Sequence, residues 1–345
     1  MLKILKELNK YLTLLILILF LLISSCRQED NRNKSTNSSK VGLVFDVGGR
    51  GDKSFNDAAY EGLVKSKSEL GVDFEYLEPG PGGERESALR QFSTRQDIQL
   101  IIGIGFMFTE EITKIAQEFP DKKYACVDYV YDSNKTMPSN LVALNFKEQE
   151  GAFLIGAIAS NLTKTNTLGF IGGMESFQIK KFEVSFVAGA KYIKPDCKIL
   201  INYAGVTGDG FKNPAKGKEL ALSQYSQGAD IIFHASGVTG LGVFEAARET
   251  KKFVIGVDAD QYSEAPGLVI TSMIKGTDIA VFDCIKEVKD GTFKGGRAEN
   301  LGLKENGISY VYDDNNRNLI SDELHNKIEQ IKKDIIEGKI TIPTR

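Results

Sequence analysis

The sequence predicts an α/β protein with two doubly wound, Rossmann-like lobes, each built on a mostly parallel sheet. Three observations support this fold class. From Val41 onward, short apolar runs rich in β-branched residues alternate with amphipathic stretches at the spacing of βαβ units. Residues 41–345 are too many for one ordinary core. No repeat or second linker interrupts them, so two lobes are the natural division.

The first lobe is predicted from apolar runs that are short enough to be buried parallel strands. These candidate strands are VGLVFDV at 41–47, DFEYLE at 73–78, LIIGIG at 100–105, KYACVDY at 123–129 and LVALNF at 141–146. Helical periodicity is expected in the stretches between them, at 55–70, 84–95 and 109–118. The first lobe is assigned residues 41–146 together with 275–305, which return to it.

The second lobe repeats the alternation. Its candidate strands are TLGFIGG at 167–173, KILINYA at 198–204, DIIFHAS at 230–236 and FVIGVDA at 253–259. The run LVITSMI at 268–274 and the helix after it are interpreted as a crossing back to the first lobe. The expected helices are 148–163, 177–192, 213–227, 239–249, 277–289 and 321–336. Residues 147–274 and 306–345 make up this lobe.

The N-terminus has the order of parts of a signal peptide. Lysines precede an apolar run from Tyr11 to Ile23 that is shorter than a membrane span, and Ser24-Ser25-Cys26 follows. This pattern predicts a bacterial lipoprotein signal peptide at 1–25 and lipid attachment at Cys26, where several acyl chains would give stable anchoring. An uncleaved N-terminal anchor is the alternative. Residues 27–40 lack apolar side chains and are expected to form a flexible tether with Cys26.

Composition argues against several classes of function. The chain has 4 Cys and 2 His without metal-binding spacing, so we expect neither a metal site nor a cofactor. Cys126 and Cys284 lie in apolar contexts typical of a core. The formal net charge of −3 and the lack of a basic cluster argue against nucleic-acid binding.

Charged residues lie at the ends of several predicted strands. Because ligands of doubly wound sheets bind beyond the carboxyl ends of the strands, these positions are candidate site residues. Asp46, Asp128 and Asp258 supply carboxylates there and Lys275 supplies an ammonium. Glycines, including Gly237, end other strands. The alternative is that the charged groups only pair with one another or cap the following helices.

Two loops offer aromatic side chains. In GDKSFN, Ser54 is a candidate N-cap for the next helix, which would hold Phe55 and Asn56 at the edge of the cleft. Phe211 lies in a Gly-rich loop before a helix that Asn213-Pro214 is expected to open. One phenyl ring from each lobe would enclose a planar base, and Asn56 can donate to it and accept from it.

Several motifs, in order and at compatible spacing, resemble those of the basic membrane protein family. They are GDKSFN at 51–56, EGAFLIGAIAS at 150–160, GFIGGM at 169–174, NPAKGKELA at 213–221, DIIFHASGVTGLGV at 230–243, GVDADQY at 256–262 and TSMIK at 271–275. The resemblance implies a type I periplasmic-binding-protein fold with three hinge crossings. It also implies a non-enzymatic lipoprotein on the extracytoplasmic side of the membrane, and one lipid anchor with a docking role suits a monomer. Such a protein would deliver adenosine, guanosine or inosine to the permease and ATPase of an ABC transporter.

Residue by residue, the resemblance places the base between Phe55 and Phe211, with Asn56 and Asp128 on its polar edge. Asp46, Gly237, Asp258 and Lys275 then contact the ribose and the remaining base atoms. We expect nucleosides rather than nucleotides, because a phosphate would meet like charge beside the carboxylates. The chain departs from the family at Val238, whose branched side chain is expected to disfavour positive φ and to narrow the ribose pocket.

Other functions stay open at this point. A nucleoside hydrolase would use the aspartates as metal ligands or base, but the chain has no tight multi-Asp motif and no GxSxG. A simple-sugar receptor would also use carboxylates and aromatic faces. A surface lipoprotein could in addition act as an adhesin.

Overall fold

The computed structural model describes residues 1, 3–4, 40–80, 84–131 and 136–345. The predicted lipidation site Cys26 lies outside these residues, as do nearly all of the signal peptide and the tether, so those features stay predictions. Among the described helices, none combines the length and the apolar character that crossing a membrane requires. Residues 39–345 form one compact unit.

The first sheet is wholly parallel. Its strands among the described residues are β1 (Lys40–Val44), β2 (Phe74–Leu77), β3 (Ile98–Ile104), β4 (Lys123–Val127), β5 (Leu141–Phe146) and β11 (Arg297–Leu301). Their order across the sheet is β11-β5-β4-β3-β1-β2. The order reverses between β1 and β3, which creates a crevice at the carboxyl ends of these strands.

The second sheet has the same arrangement. Its strands in the described chain are β6 (Thr167–Met174), β7 (Lys198–Gly205), β8 (Ile231–Ala235), β9 (Phe253–Asp258), β10 (Val269–Lys275) and β12 (Ile308–Tyr310). The order is β12-β10-β9-β8-β6-β7, and only the pairing of β12 with β10 is antiparallel. The corresponding reversal lies between β6 and β8.

Helices join most of the successive strands and cover both faces of each sheet. They are α1 (Phe55–Lys65), α2 (Arg85–Ser93), α3 (Thr109–Glu118), α4 (Glu148–Leu162), α5 (Phe177–Ile193), α6 (Pro214–Ser226), α7 (Thr239–Thr250), α8 (Thr277–Asp290) and α9 (Asp322–Ile336). One apolar cluster contains residues of both lobes, among them Leu100 and Phe170. Separate clusters cover the other face of each sheet. Burial on both faces explains why the strands are almost continuously apolar.

The predicted fold class is confirmed, and the predicted strands and most of the helices end within three residues of the observed ones. The helix expected at 55–70 is α-helical only to Lys65 and ends in a π-helical turn, Ser66–Leu70. Strands β11 and β12 were not predicted. In the edge strand β11, RAENL, half-buried residues alternate with exposed ones, and β12 has only three residues. Neither strand therefore forms an apolar run.

The chain passes between the sheets at three places, after β5, after β10 and after β11. The strand β10 belongs to the second sheet, and α8 packs on α1 of the first lobe. We propose lobes of 41–146 with 275–305 and of 147–274 with 306–345, because these ranges separate the strands of the two sheets except for two terminal residues, Lys40 of β1 and Lys275 of β10.

Candidate functional site

The carboxyl ends of the strands in the two sheets surround one cavity. About 540 Å³ of space inside this lining is free of protein atoms, a volume that includes space open to solvent. The eight residues predicted from the sequence all line it, namely Asp46, Phe55, Asn56, Asp128, Phe211, Gly237, Asp258 and Lys275. The structure thus brings the predicted set together, and ligand binding by each member stays a prediction.

Asp128 and Asp258 occupy equivalent places in the two sheets. Asp128 follows β4 and Asp258 ends β9, and their φ angles of 59° and 67° are in the left-handed region. Aspartate adopts this conformation at some cost, and such strain is concentrated at functional sites. The conformation turns both carboxylates out of their strands at the cavity wall.

Lys275 lies at the centre of a buried ion-pair network. Its Nζ is 2.6 Å from Asp128 Oδ2 and 3.2 Å from Glu148 Oε1. Lys181 contributes a second ammonium, 2.6 Å from Glu148 Oε2. The network joins the end of β10 to the start of α4. One crossing between the lobes begins after β10, and another leads into α4. Asp128 Oδ1 is buried and has no hydrogen-bond partner within the described chain, so it can accept from a ligand.

In this network, burial and the neighbouring opposite charges shift the pKa values in opposite directions. Burial by itself would lower the pKa of Lys275, but Asp128, Glu148 and Asp258 raise it above its usual value. Burial would likewise raise the pKa of Glu148, yet Lys275 and Lys181 hold it below normal. At Asp128, burial outweighs the effect of Lys275 and raises the pKa. Lys275 therefore stays a cation at neutral pH.

Two other carboxyl groups titrate near neutrality. Burial raises the pKa of Asp46 to about 7, although the Val47 amide donates to this carboxylate at 2.8 Å and opposes the shift. Burial raises the pKa of Asp258 to about 6, while Lys275 and the Ser54 hydroxyl act in the opposite direction. A ligand that donates hydrogen bonds to these groups would favour their ionised forms.

Phenyl rings form the apolar walls. Phe55 lies at the start of α1, and the Lys275 ammonium is 4.7 Å from its ring centre. Phe211 packs against Gly173, where a Cβ atom would lie 2.3 Å from the ring. Thr239 fixes the Phe211 loop, because its hydroxyl donates to the Gly210 carbonyl at 2.7 Å. Phe106, Ile179 and Phe182 complete the apolar lining.

Ser54 occupies the predicted N-cap position of α1, but the predicted capping by its side chain is wrong. The Ser54 side chain accepts no amide hydrogen bond from α1, and its hydroxyl instead donates to Asp258 across the lobes. Asp52 caps the helix, because its carboxylate accepts from the amides of Ser54, Asn56 and Asp57 at 2.9–3.1 Å. A carboxylate with two oxygens can serve three amides, whereas one hydroxyl cannot.

Asn56 is more constrained than its sequence context indicates. Its Oδ1 accepts from the Asp46 amide at 2.9 Å, and its Nδ2 donates to Asp52 Oδ2 at 3.0 Å. Within the described contacts, this leaves its second N–H for a ligand. The side chain therefore also holds Asp46 at the end of β1.

Val238 avoids positive φ, as expected for a branched side chain. The positive φ of this turn, 56°, falls on Gly237, whereas the φ of Val238 is −54° and helical. Val238 lines a neighbouring cavity, which shares Asp46 and Val47 with the first, and it is not among the residues that line the candidate site. The expected narrowing of a ribose pocket by its side chain stays a prediction.

Sequence reasoning missed Asp52, Glu148 and Gln178. Glu148 starts a helix directly after β5, where an acidic residue is commonly explained by the helix dipole alone. Gln178 lies at the start of α5 after β6. Charged candidate residues were expected at the carboxyl ends of strands. Including the first turn of the helix that follows each strand would also have identified Glu148 and Gln178.

Among the described residues, no group of three or more His, Cys, Asp or Glu side chains is placed to hold a metal ion. The cavity lining combines carboxylates, one buried ammonium, two side-chain amides and phenyl rings. Such a lining suits a small ligand with a planar ring and several hydrogen-bond donors.

Residues 39–345 match the family model described as "ABC transporter substrate-binding protein PnrA-like". The chain is 37% identical to basic membrane protein A of Borreliella burgdorferi, with 97% of this chain and 96% of the relative covered. It is 33% identical to the ABC transporter nucleoside-binding protein BmpA of Lactococcus lactis, over 94% and 95%. An uncharacterised lipoprotein of Pyrococcus abyssi is 35% identical, over 88% and 77%.

A solved structure shows the same architecture. The solute-binding protein of an ABC transporter system from Aeropyrum pernix superposes with a TM-score of 0.80 and 30% sequence identity. The alignment covers 89% of this chain and 93% of that protein. The two-lobed arrangement is therefore that of a solute-binding protein.

Proposed function

This chain belongs to the family of PnrA-like ABC transporter substrate-binding proteins, and we propose that it captures purine nucleosides between its two lobes. The resemblance and the binding-protein fold predicted from the sequence are both confirmed by these comparisons. The nucleoside proposal depends mainly on one observation. Two phenyl rings and three carboxyl groups line the same cavity, namely Phe55, Phe211, Asp46, Asp128 and Asp258.

The chemistry of the cavity supports a nucleoside. The phenyl rings offer stacking surfaces for a base, which are worth roughly 1–3 kcal/mol per base. The carboxylates are hydrogen-bond acceptors for ribose hydroxyls, and charge-assisted hydrogen bonds of this kind are about twice as strong as neutral ones. A phosphate would face three carboxyl groups with one fully buried lysine already paired, so we propose nucleosides and not nucleotides.

The proposal extends to the cellular role. As a family member, the protein would be a non-enzymatic lipoprotein, anchored through Cys26 on the extracytoplasmic side of a membrane. As a monomer, it would pass its ligand to the permease and ATPase of an ABC transporter. The lipoprotein and nucleoside-binding names of its relatives support this role.

The test combines ligand identification with calorimetric titration. Small molecules released from the purified protein are identified by mass spectrometry, and adenosine, 2′-deoxyadenosine and adenine are then titrated. We expect adenosine to bind most tightly and Asp258→Ala to weaken adenosine binding about tenfold or more while changing adenine binding little. Lys275→Ala should weaken the binding of all three ligands, because it also removes the ion-pair partner of the buried Asp128 and Glu148 carboxylates.

A sugar among the released molecules, without nucleoside binding, would contradict the proposal. Equal binding of adenine and adenosine would contradict only the ribose assignment of Asp258.

A further inference from the structure

Gln178 is a cavity residue with an unassigned role. It lies in the first turn of α5, is 7% exposed and lines the cavity. The second lobe thus presents a side-chain amide to the ligand space. An amide can offer either its oxygen or its nitrogen, and which end faces the ligand decides what it recognises.

Glu148 decides the orientation of this amide. Gln178 Nε2 donates to Glu148 Oε1, and the Glu148 side chain is fully buried. Lys181 at 2.6 Å and Lys275 at 3.2 Å keep Glu148 ionised. An ionised carboxylate only accepts hydrogen bonds, so the nitrogen end of the amide must face Glu148. The reverse orientation would place two acceptors against each other.

The consequence is that Gln178 offers an acceptor to the ligand. Its Oε1 has no hydrogen-bond partner in the described part of the chain, and the residue lines the cavity. Asp128 Oδ1, another acceptor of the cavity lining, is buried and has no partner there. Lys275 connects the two positions, because it contacts both Asp128 and Glu148. This region of the cavity therefore suits a ligand group that donates.

We propose that the Gln178 carbonyl oxygen accepts a hydrogen bond from an exocyclic amino group of the purine and that Glu148 is its positioning residue. The inference rests on the proposed function and narrows it to purine nucleosides with an amino group on the base. A carbonyl or a hydrogen atom at that position of the base leaves the Gln178 oxygen without a hydrogen-bond donor once the ligand has displaced water from the cavity, which disfavours the ligand.

The test uses two ligand pairs that differ by one amino group. Adenosine is compared with purine riboside, which lacks the 6-amino group, and guanosine with inosine, which lacks the 2-amino group. For the wild-type protein, one pair should differ about tenfold in Kd, as expected for a buried acceptor left unpaired. In Gln178→Leu, this ratio should fall to nearly one.

The second variant separates positioning from packing. Glu148→Gln lets either end of the Gln178 amide face residue 148, so the preference for the amino ligand should decrease even if overall affinity also changes. Glu183→Gln is the matched control. Glu183 is a buried carboxylate on α5 that Lys180 contacts at 2.9 Å, and it is not among the cavity residues. Its substitution should leave the ratio of Kd values unchanged.

The outcomes distinguish this inference from the proposed function. If all four nucleosides bind the wild-type protein equally, or if Gln178→Leu weakens all of them by the same factor, the inference is wrong and the proposed function stands. If none of the four binds, the proposed function is wrong, and the inference is wrong with it. Should Glu148→Gln not fold, the Gln178→Leu ratios decide the matter.

Discussion

Individual side chains of the cavity each contact several partners and therefore have more than one role. Asn56 holds the amide of Asp46 and is itself held by Asp52. Lys275 neutralises Asp128 and Glu148 while it lies over the Phe55 ring. Because these groups share partners, the effects of substituting them will not be additive. Tests that compare ligands on one variant are therefore more informative than single affinities.

The two phenyl rings should contribute to binding more than to folding. We expect Phe55→Ala and Phe211→Ala each to weaken purine nucleoside binding by roughly 1–3 kcal/mol, the range for base stacking on an aromatic side chain. Calorimetric titration measures the loss. Phe170→Ala is the control, since Phe170 is fully buried in the core and its loss should cost about 3–5 kcal/mol of folding stability. Normal binding by either cavity variant would rule out the sandwich.

Nucleoside affinity should depend on pH between 5 and 8. The pKa values of Asp46 and Asp258 are about 7 and about 6 without ligand, and hydroxyl donors favour the carboxylates. Binding then releases protons, so affinity should rise with pH through this range, by up to about tenfold per unit for each group still protonated, and level off near pH 8. Titration at several pH values measures this, and Asp258→Asn should flatten the lower part of the curve.

The stability of the ligand-free protein should depend on pH in the opposite direction to the affinity, because it should fall as pH rises. Both folded pKa values exceed the unfolded values near 4, so the folded state without ligand holds more protons between about pH 4 and 7. These two groups therefore destabilise the free protein as pH rises through this window. An affinity that is constant from pH 5 to 8 would contradict the binding prediction, and a free energy of unfolding that does not fall between pH 4 and 7 would contradict the stability prediction.

At the scale of single elements, caps and first turns position the site. The first turn of α1 carries Phe55 and Asn56, and its amides are held by Asp52. The first turn of α5 carries Gln178, with Ser176 as its N-cap. The start of α4 carries Glu148. Three helix N-termini thus place polar side chains at the cavity or directly behind it.

Loss of the α1 cap should destabilise the protein. We expect Asp52→Ala to lower the free energy of unfolding by about 2 kcal/mol, because a cap is removed and buried amides lose their acceptor. Denaturant unfolding measures the change. Asp290→Ala should cost less than about 0.5 kcal/mol, since Asp290 pairs with Lys286 on the surface. Equal stabilities of the two variants would show that Asp52 is not the cap.

At the scale of the whole molecule, the lobes meet in a closed arrangement. Gln261 Nε2 donates to the Lys53 carbonyl at 3.0 Å, and Ser54 donates to Asp258. These bonds join the first lobe to the loop and strand end of the second. A ligand bound in the cavity would add contacts to both sides, so binding and closure are coupled.

Membrane attachment is expected to depend on Cys26 alone. Cys26→Ala should give an unacylated precursor that no longer fractionates with the membrane, because the thiol that receives the lipid is absent. Metabolic labelling with palmitate measures acylation, and Cys284→Ala is the control, since this thiol is buried in the fold. Labelling of the Cys26 variant would contradict the lipoprotein prediction.

The fold class, the positions of most strands and helices, and the strand-end residues that line the cavity could all be predicted from the residue pattern. This was possible because burial on both faces makes a parallel strand continuously apolar, and because the carboxyl ends of such strands lie at one edge. Asp46, Asp128 and Asp258 follow directly from that rule. The two short strands β11 and β12 lack an apolar run and were therefore missed.

The pairing of the polar groups could not be predicted in this way, because it depends on how distant elements pack together. Ser54 and Asp52 are two residues apart and both can cap a helix, and packing of the second lobe gives the serine hydroxyl to Asp258 instead. Glu148 and Lys275 are far apart in sequence, yet they meet where the chain crosses between the lobes. Hydrogen bonds and ion pairs depend on distances of a few tenths of an ångström, which follow from the packing of whole elements and not from local residue pattern.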